Sequence, residues 1–209
     1  MTVNKNCIIR LSKYKNALTK LKALGFVKVF SDNLADAAGV ASSLVRKDFS
    51  IFGITGNKKG GYSVEELIEK LNDILGKSDI QKVVIAGAGN IGSALMKYAG
   101  FEKEGLKVSA VFDNDPSKTD GKGAVPVLSI DSMKEYIKQN KIKIGIICVP
   151  DVSAPGIFES MVASGIKGVL NFAPVSLKTQ EDIVVENVNL VGELESLIYF
   201  VNALKKIKR

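Results

Sequence analysis

Apolar residues recur at helical spacing in the first part of the chain and predict a helix-turn-helix arrangement. Leucine and isoleucine side chains return at near-helical intervals over residues 8–24, and a glycine then ends the pattern. A short helix over 33–38, a tight turn at Gly39 and a third helix over 41–49 follow. A short helix, a glycine turn and a helix that starts with small polar residues are typical of the helix-turn-helix motif.

A glycine-rich basic segment, residues 53–62, follows the third helix. It holds four glycines and two lysines in ten residues, as a flexible basic hairpin would, and after a helix-turn-helix this predicts a wing. Ser63 then caps a further helix, which has Glu65 and Glu66 in its first turn and ends near residue 75. Residues 77–81 are the predicted linker.

From Lys82 onward, short apolar runs alternate with helical segments. Near-continuous apolar strands with helices between them indicate a parallel sheet that is covered on both faces. The predicted strands are 83–86, 108–112, 144–149, 168–171 and a shorter one near 183–185. A last helix over 193–209 carries an apolar stripe, which either packs on its own domain or forms a dimer contact.

The composition excludes several kinds of chemistry. The 209 residues include no His, so a Ser-His-Asp triad, a Cys-His pair or a His-bearing zinc site within one chain is excluded. The two cysteines, Cys7 and Cys148, lie far apart and suggest neither a metal site nor a disulfide framework. We therefore expect no metal and a reducing cytoplasm. No apolar run reaches the length of a transmembrane helix, so no membrane partner is expected.

The net charge of +7 is unevenly distributed along the chain. Residues 1–80 hold 13 basic and eight acidic side chains, whereas residues 81–209 hold 16 and 14. A basic module beside a near-neutral one is consistent with a polyanion partner such as nucleic acid, although a basic helix can also be a solvated face.

A glycine motif of the form GxGxxG lies between the first predicted strand of the sheet and a helix. Its residues are Gly87, Ala88, Gly89, Asn90, Ile91 and Gly92. Gly87 permits the tight turn, Gly89 lets a pyrophosphate approach the backbone, and Gly92 lets the helix pack against the strand. The motif predicts a Rossmann fold that binds a dinucleotide at the start of the helix, with a ligand-free Rossmann-like fold as the alternative.

An acidic residue stands where such a site needs one. Asp113 ends the second strand, 21 residues after Gly92, and can accept hydrogen bonds from the adenine ribose. It would repel a 2′-phosphate, which favours NAD over NADP. Asp115 either assists or caps the following turn, and Val149 and Pro150 end the third strand, where they would border the cofactor.

The third helix is the predicted DNA-reading element. Ser42, Ser43, Arg46 and Lys47 are left to face outward, and the first part of such a helix meets base edges in the major groove. Arg46 can bind a guanine bidentately and Lys47 a phosphate or a base. In the wing, Lys58 and Lys59 can reach phosphates or the minor groove. The alternative is a solvated face on a small helical module.

Motifs spread in order over nearly the whole chain carry a family resemblance. They are residues 45–50 (VRKDFS), 52–53 (FG), 61–62 (GY), 87–92 (GAGNIG), 94–95 (AL), Tyr98, 112–113 (FD), 149–150 (VP), Ala163, 165–168 (GIKG), 171–174 (NFAP) and 186–188 (ENV). In this combination and spacing the chain resembles the Rex family of redox-sensing transcriptional repressors.

The resemblance implies a homodimer in which each last helix is swapped onto the partner. It also implies that NADH and NAD⁺ compete for the Rossmann site, that NAD⁺ permits operator binding, and that NADH closes the dimer and releases the DNA. Tyr98 matches the family tyrosine that takes part in sensing the nicotinamide state. The chain departs from the family at Asn16, Asn189 and Leu190, where many members have Arg, Asp and Phe, and in the wing at Lys58 and Lys59.

The sequence thus predicts an α/β protein: a winged-helix DNA-binding domain over 1–78, a Rossmann-fold domain over 79–190 and a C-terminal, domain-swapped dimerisation helix over 191–209. The predicted function is a dimeric, cytoplasmic, NAD(H)-responsive repressor of operator DNA, without enzymatic activity. Two alternatives remain: a small NAD-dependent oxidoreductase, and a family paralogue that binds NAD(H) but no longer represses.

Overall fold

The apolar side chains of the first 79 residues pack into a core of their own, separate from the core of the remainder. In the computed structural model, which describes residues 3–57, 60–77, 79–119, 123–178 and 181–207, the chain divides into two units, Met1–Asp79 and Ile80–Arg209. The first unit contains α1 (Lys5–Ala23), β1 (Lys28–Val29), α2 (Ser31–Ala38), α3 (Ser42–Ile51), β2 (Tyr62–Ser63) and α4 (Val64–Ile74).

The first unit is a helix-turn-helix with a wing, as predicted. α1 begins three residues earlier than its apolar pattern, because the Asn4 side chain accepts a hydrogen bond from the backbone N–H of Asn6, 2.8 Å away. β1 and β2 pair antiparallel. A separate antiparallel bridge between Asn57 and Gly61, just before β2, forms the hairpin of the wing. The predicted contacts of Lys58 and Lys59 fall outside the residues that the structure describes.

A buried carboxylate ties α3 to α1. Arg10 donates from Nε and Nη2 to the two oxygens of Asp48, at 2.6 and 2.7 Å, and the Tyr14 hydroxyl donates to Asp48 at 2.8 Å. The Cys7 thiol adds a contact of 3.3 Å. Although burial alone would raise the pKa of the Asp48 carboxyl, these hydrogen bonds and the Arg10 charge hold it below its usual value. The position of α3 on the unit therefore depends on an ionised Asp48.

The second unit is a parallel sheet with helices on both faces. Its elements are β3 (Gln81–Ala86), α5 (Asn90–Met96), α6 (Gly100–Lys103), β4 (Leu106–Asp113), β5 (Val127–Ser129), α7 (Met133–Asn140), β6 (Ile144–Ile147), α8 (Ala154–Ala163), β7 (Gly168–Asn171), β8 (Val184–Asn187) and α9 (Leu190–Ile207). The strand order β5-β4-β3-β6-β7-β8 is that of a Rossmann fold. Val84 and Ala86 enter one apolar cluster and Val83 and Ile85 the other, so both faces are covered.

Several elements of this unit differ from the sequence prediction. β3 and β4 each begin two residues before their predicted start, so Gln81 belongs to β3 and not to the linker, and β8 ends two residues after its predicted end. β5 is an additional strand; it is three residues long, and its approach to β4 is set by the Pro126 carbonyl, which accepts from the Val111 N–H at 3.0 Å. β6 ends at Ile147, two residues before the predicted end, although the Cys148 N–H still donates to the Ala86 carbonyl at 2.7 Å. α9 begins at Leu190 instead of residue 193, because Asn189 Oδ1 accepts from the Gly192 N–H at 2.9 Å.

No helix within the described part of the chain is long and apolar enough to cross a membrane. α9 nevertheless exposes large apolar side chains along its length. They are Leu190, Val191, Leu194, Leu197, Ile198, Tyr199, Phe200, Val201 and Leu204. A helix of this kind has a face that other protein surface can cover.

Replacing Asp48 by Asn should destabilise the first unit. The amide cannot accept two charge-assisted bonds from Arg10, so we expect a loss of about 1.5–3 kcal/mol in the free energy of unfolding at neutral pH, the range for a hydrogen bond to a charged group. The pKa of the Asp48 carboxyl is lower in the folded protein than in the unfolded chain. The stability that ionised Asp48 adds is therefore fully present above the pKa that this carboxyl has in the unfolded chain, and it disappears as the pH falls through the folded pKa.

The difference in the free energy of unfolding between wild type and Asp48→Asn should therefore shrink as the pH is lowered through the acidic range. Urea denaturation followed by circular dichroism at a series of pH values measures this. Asp36→Asn, on the exposed side of α2, makes the same change in charge and serves as the control. Equal stability of the two variants at neutral pH would contradict the assignment.

Candidate functional site

A cavity of about 740 Å³ opens at the carboxyl ends of the strands in the second unit. It lies at the ends of the neighbouring strands β3 and β6, where the strand order reverses, and open α/β sheets bind ligands at such a point. Its volume is that of a site for a small molecule or cofactor. The lining residues are Gly87, Gly89, Asn90, Ile91, Phe112, Asp113, Asn114, Lys118, Ile130, Cys148, Val149, Pro150, Ser153, Ile157, Phe172 and Pro174.

Seven of the ten residues predicted to bind a cofactor are in this lining: Gly87, Gly89, Asn90, Ile91, Asp113, Val149 and Pro150. Three are not. The Ala88 N–H donates to Asp113 Oδ2, and Gly92 lies close to the Gly87 carbonyl oxygen, so both residues hold the loop together. Asp115 caps the turn at Pro116: its Oδ1 accepts from the N–H and hydroxyl of Ser117, at 2.9 and 2.7 Å.

The three motif glycines serve different purposes. Gly87 has φ +100°, and a Cβ there would approach the Cys148 carbonyl oxygen to 2.5 Å. A Cβ on Gly92 would collide with the Gly87 carbonyl oxygen. A Cβ on Gly89 would meet nothing within 4 Å. The fold itself therefore requires Gly87 and Gly92, whereas Gly89 leaves open backbone toward the cavity, which is what a closely approaching phosphate needs.

Asp113 fixes the glycine loop as well as lining the cavity. Its Oδ2 accepts from the Ala88 N–H at 2.6 Å and its Oδ1 from the Asp115 N–H at 2.9 Å. Burial would raise its pKa, but these backbone bonds and the nearby Lys118 ammonium lower it overall. An ionised carboxylate accepts about four hydrogen bonds. Two of the Asp113 partners are long contacts from Lys118 Nζ, at 3.5 and 3.4 Å, and ribose hydroxyls can take their place.

Lys118 is a cavity residue that the sequence prediction missed. Its Nζ lies 3.4 Å from Asp113 Oδ2 and 3.9 Å from Asp115 Oδ2. The signal was available, since a lysine five residues after the strand-ending acid falls on the turn beside it. Ile130, Ile157, Phe172 and Pro174 form apolar walls that no local motif of the strand–loop–helix type predicts.

Cys148 behaves as an apolar lining residue. Burial raises its pKa to about 12, so the thiol stays protonated at neutral pH. Cys148 is therefore suited to the role of a small apolar residue of the wall and not to that of a redox thiol. The open Gly89 backbone, the carboxylate and the apolar walls together fit a dinucleotide.

The residues that the family resemblance links to redox sensing lie in different surroundings. Tyr98 follows α5, is 59% exposed and packs edge-to-face on Phe101 at 5.2 Å. Asn189 and Leu190 border a second groove of about 430 Å³, which shares Ile91, Phe172 and Pro174 with the main cavity. Asn16 is exposed on α1, in the first unit.

The predicted DNA-reading helix exposes the residues expected of it. Ser43, Arg46 and Lys47 of α3 are exposed and Ser42 is half-buried, while Val45 and Phe49 are buried in the unit core. Arg46 Nη1 lies 3.7 Å from Asp32 Oδ1 at the start of α2. Within the described residues, no group of three or more Cys, Asp or Glu side chains is placed to hold a metal.

A winged-helix unit followed by a Rossmann unit with a dinucleotide-sized cavity defines the class of ligand-responsive DNA-binding proteins. Two family models match the chain: "Putative DNA-binding protein N-terminus" over residues 2–50 and "CoA binding domain" over residues 78–175. The chain belongs to the Rex family of redox-sensing transcriptional repressors, because curated Rex proteins match it over nearly its whole length.

Among curated proteins, a redox-sensing transcriptional repressor Rex from Carboxydothermus hydrogenoformans is 40% identical over 92% of this chain and 93% of its own. A Rex from Clostridium botulinum is 39% identical over 93% of both chains. Among solved structures, the Rex-family repressor RSP in complex with β-NAD⁺ and operator DNA matches with a TM-score of 0.91 and 35% identity, over 100% of this chain and 96% of that one. RSP in complex with β-NADH matches with a TM-score of 0.85 and 35% identity, over 100% and 98%. These matches confirm the predicted fold class.

The different roles of Gly89 and Gly92 can be distinguished by the thermal stability of their alanine variants. Gly92→Ala places a methyl group on the Gly87 carbonyl oxygen, so we expect the melting temperature to fall by several degrees, as for an overpacked site that costs about 1–3 kcal/mol. Gly89→Ala meets no protein atom and should melt like the wild type. Differential scanning calorimetry measures both. A Gly89→Ala variant that melts as low as Gly92→Ala would contradict this division of roles.

Proposed function

We propose that this protein is a transcriptional repressor that binds operator DNA as a homodimer, holds NAD(H) in the cavity of its second unit, and is released from DNA by NADH. One observation carries the proposal: a single chain combines an exposed recognition helix with a dinucleotide-sized cavity, in the fold of a repressor solved with NAD⁺ and operator DNA. The domains proposed are 1–78 for DNA, 79–190 for NAD(H) and 191–209 for dimerisation.

On the DNA side, α3 enters the major groove. Arg46 reads a guanine, and Lys47 binds a phosphate or a base. Ser42 and Ser43 lie at the start of α3, where such helices meet base edges. Lys58 and Lys59 of the wing contact the phosphate backbone, so operator affinity should fall steeply with salt concentration.

On the cofactor side, the loop from Gly87 to Gly92 holds the pyrophosphate, with Gly89 at the point of closest approach. Asp113 accepts from the adenine ribose hydroxyls, which favours NAD over NADP. Val149 and Pro150, in the segment that follows β6, border the nicotinamide half. Asp115 contributes by fixing the turn that carries Lys118.

The switch requires a difference in affinity. NADH can weaken operator binding only by as much as it binds the DNA-free form of the dimer more tightly than the DNA-binding form. A tenfold change in operator affinity corresponds to about 1.4 kcal/mol. The oxidised ring is cationic and the reduced ring neutral, so a polar group beside the nicotinamide can distinguish them. Tyr98 is the proposed sensing residue, with Asn189 in place of the acid that many relatives have.

The cavity offers little for catalysis. Its titratable lining residues among those described are Asp113, Lys118 and Cys148. Asp113 is occupied by two backbone donors with a lowered pKa, and the Cys148 thiol has a pKa of about 12. Neither is suited to proton transfer at neutral pH, where an effective acid or base has a pKa near the working pH. Lys118 is paired with Asp113, 3.4 Å away. We therefore propose a sensor that binds NAD(H) without turning it over, and the two free cysteines support a reducing cytoplasm as its location.

The central experiment is a fluorescence-anisotropy titration at fixed, stated salt. The probe is a two-fold-symmetric duplex that the wild-type protein enriches from a random-sequence pool in the presence of NAD⁺. We expect tight binding with NAD⁺ and at least tenfold weaker binding when NADH is added. Binding that ignores NADH would favour a paralogue without a redox switch, and steady consumption of NADH would favour an oxidoreductase.

Two variants should disable the two halves separately. Arg46→Ala should lose at least tenfold in operator affinity, because each of the two subunits loses a bidentate base contact worth about 1–3 kcal/mol, while its NADH affinity stays unchanged. Gly89→Ala should bind NADH more weakly while keeping its operator affinity in the absence of cofactor. NADH fluorescence titration gives the first affinity and anisotropy the second. Loss of both affinities in either variant would contradict the assignment of that residue.

The homodimer is tested through α9. Leu197→Glu places a charge in the exposed apolar stripe, and deletion of residues 190–209 removes the stripe. Both should shift the protein to monomers or aggregates in sedimentation-equilibrium experiments. Glu195→Gln, on the same helix, should remain a dimer. A stable dimer of the deletion variant would show that the dimer contact lies elsewhere.

A further inference from the structure

An acidic side chain stands beside the guanidinium that is proposed to read DNA. Asp32 Oδ1, at the start of α2, lies 3.7 Å from Nη1 of Arg46 on α3. The two side chains border one groove of about 320 Å³, whose other walls include Asn57 and Tyr62 from the wing hairpin. Asp32 is therefore placed between the recognition helix and the wing, on the surface that would face DNA.

An acid at this position is unexpected on electrostatic grounds. Asp32 is the first acidic residue of the chain, after seven basic ones. Its side chain is 78% exposed, so burial does not hold it in place, and an exposed ion pair adds little to stability. A carboxylate that faces DNA repels phosphates, and this cost in affinity calls for a compensating effect.

We infer that Asp32 is a specificity-determining residue, which holds the Arg46 guanidinium for reading a base and keeps it from binding a phosphate. This rests on the proposed DNA-binding function. It concerns whether Arg46 binds a base or the phosphate backbone of DNA, which the exposure of Arg46 alone does not decide.

The chemistry of the guanidinium group makes the two binding modes unequal. Arginine carries five N–H donors, of which a guanine O6 and N7 use two. The others remain for Asp32, so base reading and the ion pair are compatible. Binding a phosphate instead brings a second anion to the same cation, close to Asp32. The carboxylate therefore penalises the sequence-independent contact more than the sequence-specific one, which raises discrimination.

Asp32 also lies in the first turn of α2, where an acid favours the helix dipole. If this were its whole role, removing the charge would lower stability and would weaken binding to all DNA alike. Loss of a specificity residue has the opposite signature: binding to unrelated DNA becomes tighter while the fold is unaffected.

The experiment compares wild type with Asp32→Asn, Asp32→Glu and Asp36→Asn, all as full-length protein with NAD⁺. Asp36→Asn removes the same charge from the same helix at an exposed position away from Arg46. Affinities are measured by anisotropy from about 50 to about 200 mM salt, the range over which phosphate binding changes affinity strongly. The probes are the duplex enriched by the wild type and a scrambled duplex of identical composition. Melting temperatures are measured in parallel.

We expect Asp32→Asn to bind the scrambled duplex more tightly than the wild type does at low salt. The ratio of its Kd at about 200 mM to that at about 50 mM should rise about tenfold, because one additional phosphate bound by each of two subunits steepens the salt dependence by about 1.8 in log Kd per log salt. Discrimination between the two duplexes should fall about tenfold. Asp32→Glu should retain most of it, and Asp36→Asn should resemble the wild type.

Three results would overturn the inference. Asp32→Asn and Asp36→Asn could change binding to the scrambled duplex equally, which would indicate a general charge effect. Asp32→Asn could melt lower and lose affinity for both duplexes, which would indicate a structural role. Finally, the wild type could enrich no sequence at all, which would remove the proposed repressor function together with this inference, whereas the first two results leave that function intact.

Discussion

The close approach of backbone segments at the end of β3 is the constraint on which the second unit depends. Gly87 turns the chain against the Cys148 carbonyl, Gly92 brings α5 onto that same turn, and Asp113 binds the loop through the Ala88 N–H. Each contact leaves no space for a side chain or uses a backbone donor that would otherwise need a partner. The packing that closes the fold thus also shapes the rim of the cavity, so the site cannot change its loop without changing the sheet.

The first unit is under a different constraint, because α3 must keep one face exposed for binding while its other face holds it on the unit. α3 has buried apolar anchors at Val45 and Phe49, but Asp48 fixes it in a directional way through Arg10 and Tyr14. Apolar contacts alone tolerate small rotations, whereas bidentate hydrogen bonds define an orientation. The residues proposed to bind DNA are therefore carried by a helix whose rotation about its own axis is fixed by the hydrogen bonds on its buried side.

Local patterns predicted the elements well where periodicity or a motif fixes them. The GxGxxG turn, the Ser63 cap and the parallel apolar strands need only neighbouring residues to be recognised. What the sequence did not disclose depends on contacts between distant residues. Asp48 meets partners 34 to 41 positions away, and its charged side chain carries no sign of burial. β5 is too short for a pattern, and the apolar cavity walls come from separate strands, helices and loops that meet only in the fold.

The apolar stripe on α9 has a consequence for how much of the protein is folded at any moment. When such a stripe is buried by a second copy, the free energy of folding includes the association of two chains, and it becomes more favourable as protein concentration rises. Newly made chains at low abundance would then be the most exposed to proteases and chaperones. The number of working molecules would rise more steeply than the rate of synthesis, which gives the cell a threshold without any additional component.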